Sequence, residues 1–480
     1  SFNNSGVVSV QSGTLSVMGG TSSGSFTNGP AGTIDFHGGT QTLTPASSVS
    51  GPGTFSVSGG TVNVNGKYTV TGGHSINGGT ANFQGPYNIT TGAVTITSGA
   101  INFNSGGTAS PSAVTLGPSG TLGGSNLVSV SGLFTWTDGQ INGSSMIYAN
   151  GGLQVSGSAR KSLFGSTLIN TATATWSAGD YYSGSGAVFS NAPSGVFNLT
   201  FDGTTGNYGG GRTFANAGSF NKTGGTGTAS FTEDSFVNYG TFNIASGTVS
   251  VMNAYVQKAG RTVLNGTTLA SSQPAQILGG TLAGNGTVAG SITNSGTLQT
   301  ANSPGILSVT GDFTQTPAGT VRLLLAGTAP GTGFDQLDIA GTATLDGTLS
   351  IGLTNNFQPA NNSVFLVLTN GTRHGLFANF PSVALGNGRY LNPMHLTNGV
   401  EVLIAGPNNT LSGYVDHSTG TVHFQMPTVA GLVYYIDATT DFMNWSRILT
   451  NTVPASTVLD FVDPERTNFN YRFYRTELAP

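Results

Sequence analysis

The chain has 480 residues, 75 of them glycine, with 7% charged residues, a net charge of −4 and no cysteine. An ordinary soluble domain carries about a quarter charged residues, and this composition excludes a basic nucleic-acid surface and a polybasic membrane segment. It excludes disulfides and cysteine–metal sites as well, and no apolar run is long enough to span a bilayer.

Val, Ile, Thr and Phe recur at regular positions, which separates this chain from a disordered one. Ser1 falls inside a repeat-like phrase, SFNNSGVVSVQSGTLSV, and reads as a mature or trimmed terminus. Gly-Gly-Thr occurs at 19, 38, 59 and 78, and a degenerate Ser-Gly-Ala follows at 98. A period near 20 is too short for a helical pair and fits one coil of a β-solenoid. After the glycines the pattern alternates. Val62, Ala81 and Ile101 share one slot, and Val64, Phe83 and Phe103 share the slot two residues on. Period-two alternation turns these six inward as a core stack and turns Asn63, Asn82 and Asn102 outward as an amide ladder. Stacked coils lie about 4.8 Å apart. One coil cannot bury its own apolar face, so the strand is rewritten until neighbours bury each other. Gln41 stands in the slot of Val62, which predicts either an irregular coil or a slip of register there.

Further along, a longer phrase begins at Trp136 and returns at Trp176, an offset of 40, or two coils. Here Trp176, Tyr181 and Tyr182 are the candidates for stacking against sugar. Asp138 and Asp180 follow the two tryptophans and are expected on one face, two coils or roughly 10 Å apart, too far to share a metal. Asp35 and His37 share a strand face, a weak signal for a dyad or half a metal site and a better one for a surface hydrogen bond. Arg160-Lys161 reads as a charged loop tip.

Residues 279–352 carry the phrases GNGTVAGSITNSGTL, NSPGILSVTGDFTQTPAGTV and FDQLDIAGTATLDGTLSI. This stretch resembles the passenger-associated β-strand repeats of autotransporters and related bacterial surface proteins. The resemblance implies a right-handed parallel β-solenoid, exported and surface-exposed, and brings no catalytic residues with it. The membrane barrel that ends autotransporters has no counterpart in this sequence. Asp335, Asp338 and Asp346 lack the repeated glycine-rich nonapeptide of calcium-binding solenoids, so Asp338 is expected outward on a strand.

The expected organisation is an irregular solenoid over 1–275, a passenger-like solenoid with closing strands over 276–405, a linker at 406–410 and a small β-sandwich over 411–480. The tail, with YYIDATTDFMNW and FVDPERTNFNYRFYR, resembles small C-terminal modules of secreted proteins from Verrucomicrobia and Planctomycetes. In it Trp445 is expected in the sandwich core, and Arg472 and Arg475 beside Asp460 or Asp463.

The fold class is therefore all-β: a parallel, right-handed solenoid of about 20 residues per coil and some 17–20 coils, followed by a sandwich. The expected role is that of a secreted or cell-surface bacterial structural protein without cofactor, metal or catalytic site. Its expected partner is another copy of itself, joined head to tail through an open solenoid end. A monomeric adhesin or carbohydrate-binding rod is the alternative, with extracellular polysaccharide as ligand. A polysaccharide-degrading enzyme stands third, because it needs a carboxylate cluster that these few acids do not supply.

Overall fold

The computed structural model describes all residues except 234, 301–303, 382, 384, 386–388, 406–410, 417–420, 429–432, 453–457 and 479–480, and only the backbone of 412, 414–416, 427 and 478. The linker expected at 406–410 lies outside the described residues. The chain is a parallel β-solenoid of about 16 turns with separate C-terminal sheets. It forms two compact units, residues 1–301 with 307–316, and residues 302–306 with 317–480.

In the first unit most strands are three or four residues long and alternate between half-exposed and buried positions, as in Thr61–Val64. Such a strand cannot stand alone, and each finds its partner one turn on. Gln140–Gly143 pairs in parallel with Lys161–Phe164, Met146–Ala149 with Thr167–Asn170, and Leu153–Val155 with Thr173–Trp176. Three strands per turn thus build three parallel faces of one continuous sheet around one interior. Rungs run across residue 275 without a break, since Ala275–Ile277 pairs with Tyr255–Gln257 before it and Ile292–Asn294 after it.

The register of the Gly-Gly-Thr coils is direct. Val62 pairs with Ala81 and then Ile101; Val64 pairs with Phe83 and then Phe103. All six side chains are fully buried. Between them Asn82 Nδ2 donates to Asn63 Oδ1 at 2.9 Å, and Asn102 Nδ2 donates to Asn82 Oδ1 at 2.8 Å. The coil of Gln41 keeps the same register, with Gln41 opposite Val62. The Gln41 side chain is inside, and its amide donates to Ser22 Oγ at 2.9 Å. A local polar partner holds its amide, and the coil is irregular on its other side, where the register with Val7–Ser22 shifts between Met18 and Gly20, the residue opposite Gln41.

A second amide ladder runs inside the solenoid. Asn170, Asn191, Asn216 and Asn238 end their strands on inward slots and are wholly buried. Nδ2 of each of the first three donates to Oδ1 of the next at 2.8 Å. Each also donates to carbonyls of its corner: Asn191 to Gly195 at 3.2 Å and to Ser219 of the next turn at 3.1 Å. Gly195 is required here, because a Cβ would fall 2.3 Å from Asn191 Oδ1. Beside the ladder the interior is filled by Phe189, Phe197, Phe214, Phe220, Phe231, Phe236 and Phe242, with neighbouring rings mostly 5–6 Å apart.

In the second unit Thr320–Leu325 pairs in parallel with Thr348–Leu353, and Gln336–Leu345 with Val364–Gly375. The pattern then turns antiparallel, with Gly399–Ala405 between Val364–Gly375 and Tyr390–Leu396. Among the described residues the C-terminal module forms two three-stranded antiparallel sheets. Met426 of one and Tyr434 of the other form its core, with Leu411 and Leu459 packed against them.

Removing one member of the inner ladder should be costly, because its neighbours keep buried amide groups. Asn191→Ala should destabilise the surrounding rungs by about 2–4 kcal/mol. Hydrogen exchange should quicken over residues 167–238 and remain unchanged over 54–103. Uniform exchange in both regions would refute a local stapling role.

Candidate functional site

The outward residues of one sheet carry the candidate site. Thr121, Gln140, Ser162, Tyr182 and Gly206 follow one another in register, one per rung. Beside them run Gly123, Asn142, Phe164 and Gly184. Glycine at 184 and 206 leaves two places without a side chain, and aromatic rings occupy that space. A Cβ on Gly206 would lie 2.2 Å from the Tyr182 ring, and one on Gly184 would lie 2.9 Å from Tyr208 Cβ. The Phe164 and Tyr208 centroids are 5.0 Å apart, and those of Tyr182 and Tyr208 are 5.2 Å apart. Tyr208 is 43% exposed. The result is a small aromatic platform against the sheet.

The Arg160 guanidinium lies 5.0 Å from the Tyr182 centroid and 5.4 Å from that of Tyr208, within cation–π range. The same arginine lines a recess of about 340 Å³ with Ser119, Gly120, Asp138, Gly139, Gln140 and Ser162. Gln140 donates to Thr121 Oγ1 at 3.0 Å. Asp138, Arg160 and Asp180 each stand two residues before a registered position, so their charges alternate from rung to rung.

Below Arg160, Lys161 is fully enclosed. Its Nζ donates to the carbonyls of Gly157, Ala159 (2.8 Å) and Ala178 (3.0 Å), tying two turns together. Burial pushes its pKa down to about 8, and Asp138 and Asp180 oppose that shift. Of the pair read as a loop tip, only Arg160 is exposed. Inward alternation of Lys161 on its strand places it under the surface.

The three aromatic candidates separate. Tyr182 belongs to the platform. Trp176 and Tyr181 occupy inward slots and are 3% and 6% exposed. Their rings pack edge to face at 6.3 Å, and Tyr181 meets Trp136 in the same way at 6.1 Å. Trp176 Nε1 donates to Gly179 O at 2.8 Å. Neither offers a face to a ligand, so the sugar-stacking reading of Trp176 and Tyr181 is corrected. Adjacent residues on a strand point to opposite sides. Phe164 and Tyr208 were not foreseen. Their signal is glycine at the position beside each ring, which becomes visible only once the rung register is known.

Asp35 stands in a column of hydroxyls, between Ser16 and Ser56 in register. It accepts from Ser56 Oγ at 2.8 Å, Ser58 Oγ at 2.7 Å and Ser16 Oγ at 3.4 Å. His37 Nδ1 is 3.2 Å from Ser58 Oγ, so the serine lies between the two residues of the expected dyad. Asp335 accepts from the backbone N–H of Gly305 at 3.0 Å and of Leu324 at 2.8 Å, and Asp338 is exposed beside Thr369. Among the described residues no three His, Cys, Asp or Glu side chains gather closely enough to hold a metal ion. Among the described residues no helix is long and apolar enough to cross a membrane.

In the C-terminal module Arg472 pairs with Asp463 at 2.9 Å, whereas Arg475 reaches Asp437 at 3.0 Å. Trp445 is half-exposed under the Arg475 guanidinium, 4.5 Å from it, and lies outside the core in which it was expected. No protein-family model matches the chain, and no curated protein matches it.

A buried histidine escaped sequence reading. His74 is 2% exposed among Phe55, Tyr68 and Phe83. Thr91 Oγ1 donates to Gly72 O at 3.0 Å and so accepts from His74 Nδ1–H at 2.6 Å. Nε2 is then the acceptor for the Tyr68 hydroxyl. Burial pushes its pKa down from 6.5 to about 4. The folded state therefore binds fewer protons than the unfolded one. Stability is complete above pH 6.5 and falls as the pH drops from 6.5 through 4, by about 3 kcal/mol in all. The melting temperature of the wild type should fall more steeply over this window than that of His74→Gln. Parallel pH profiles would show that His74 is not the group concerned.

Proposed function

We propose that this protein is a secreted or cell-surface bacterial β-solenoid that holds polysaccharide on the platform of Arg160, Phe164, Tyr182 and Tyr208. The observation that carries this reading is the placement of the rings against the sheet over Gly184 and Gly206. A ring held in this way is rigid and partly dehydrated, and its surface suits the C–H faces of a pyranose. Hydroxyl, amide and charged groups beside it match the rim of the same sugar. Low charge and the likeness of residues 279–352 to passenger-associated repeats support an exported protein, and the C-terminal module would serve as anchor or second reader.

Affinity electrophoresis in gels containing neutral polysaccharides tests this directly. Tyr182→Ala and Tyr208→Ala should each weaken retention roughly five- to tenfold, corresponding to about 1–1.4 kcal/mol per ring. Equal retention of both variants and the wild type would remove the platform from the account.

End-to-end assembly is a second reading, favoured by a different observation. Among the described residues Val7–Ser22 pairs with Ser25–Leu43 on one side only. Along it lies an open recess lined by Phe2, Val8, Val10 and Leu15, and Val7 is 74% exposed. Such an edge takes a further rung, either from more of the same chain or from another copy, and an interface that does not close makes a filament. Negative-stain electron microscopy of native material, with intact mass, should then show fibres with a regular axial repeat. Single particles at every concentration would dismiss it.

A further inference from the structure

We infer that the ligand is a neutral polysaccharide lying along the solenoid axis, across the rungs from Thr121 to Tyr208, and not a single terminal sugar. This inference rests on the carbohydrate reading of the platform and adds to it the direction, length and charge of the ligand. The direction follows from the register. Thr121, Gln140, Ser162, Tyr182 and Gly206 form one column across five successive rungs. At about 4.8 Å per rung that column is roughly 19 Å long, the length of several pyranose units. The recess and the aromatic platform are not two separate sites. Arg160 lines the first and lies over the rings of the second.

The path is also open. Gly184 and Gly206 put no side chain between the rings, and the loop beyond Tyr208 continues with Gly209, Gly210 and Gly211. A Cβ on Gly209 or Gly211 would meet nothing within 4 Å. A chain passing over Tyr208 meets no wall there, as a site for an extended polymer requires and a pocket for one sugar does not.

The charge follows from counting along the strip. Asp138 and Asp180 are matched by Arg160 and the enclosed Lys161, and both acids act on Lys161. The strip has no net field to concentrate an acidic polymer. Its selectivity must come from ring stacking and hydrogen bonds.

Calorimetric titration with cello-, xylo- and manno-oligosaccharides of two to six units, and with oligogalacturonates, tests the three claims together. For one neutral series the affinity should rise at least tenfold from two to four units and level off beyond. Gln140→Ala, at the recess end, should cost roughly three- to fivefold on the tetrasaccharide and nothing on the disaccharide. Tyr182→Ala should weaken both. If the disaccharide binds as tightly as the hexasaccharide, or Gln140→Ala leaves the tetrasaccharide unaffected, the axial strip is overturned while the carbohydrate reading stands. Tighter, salt-sensitive binding of oligogalacturonates would overturn neutrality. If no series binds the wild type while its circular dichroism and melt are those of a folded protein, the carbohydrate reading fails, and this inference with it.

Discussion

The parallel register between successive rungs is the constraint on which the rest depends. A strand of four residues buries only two side chains on the inside, too few to fold alone. Stacking makes those two side chains part of columns such as Val62–Ala81–Ile101 and Val64–Phe83–Phe103, in which each residue is covered above and below. The same register creates the outer features. It puts Asn63, Asn82 and Asn102 within hydrogen-bonding reach, surrounds Asp35 with serine hydroxyls, and sets Tyr182 beside Gly206. Core and surface are two sides of one alignment.

This explains what could be read in advance. Around Gly-Gly-Thr the spacing is nearly constant, and the slots of the core stack and of the outer asparagine ladder can be counted by eye. Further along, the turns lengthen. Asn170, Asn191, Asn216 and Asn238 are 21, 25 and 22 residues apart, and no fixed period reveals them. Asparagine itself gives no help, since the same residue serves outside at Asn82 and inside at Asn191. Only the partner on the next rung decides which it is. The pair Tyr181–Tyr182 shows the limit most plainly. Composition marks both as sugar-stacking residues, but strand alternation allows one of them outside. Which one depends on where the strand starts, and Lys161 at the head of the preceding rung is buried for the same reason.

Several of the buried polar groups sit where the backbone bends. The inner asparagines, Lys161 and the His74–Thr91 pair all bond to carbonyls or hydroxyls at corners, where regular strand pairing stops and backbone groups would otherwise face an apolar interior. Lys222 does the same at another corner, with its Nζ on Asp202 at 2.9 Å and on the carbonyls of Gly224 and Gly225. A chain with few charges thus encloses Lys161 and Lys222, whose ammonium groups donate to corner carbonyls and, for Lys222, to Asp202 as well. Aliphatic and aromatic columns supply cohesion, and these corner groups define where each strand ends.

The inner ladder also limits how such a chain can change in length. Asn191 and Asn216 each bond to the asparagine of the rung before and of the rung after, and Gly195 must stand where Asn191 approaches. Inserting or deleting one residue within a strand would put an aliphatic side chain opposite an amide, whereas the corners already absorb differences of up to four residues between these turns. Duplicating or losing a whole rung would leave every contact with an equivalent neighbour. The complete turn, with strands fixed in register and corners free to vary in length, is therefore the unit by which such a ladder can lengthen or shorten.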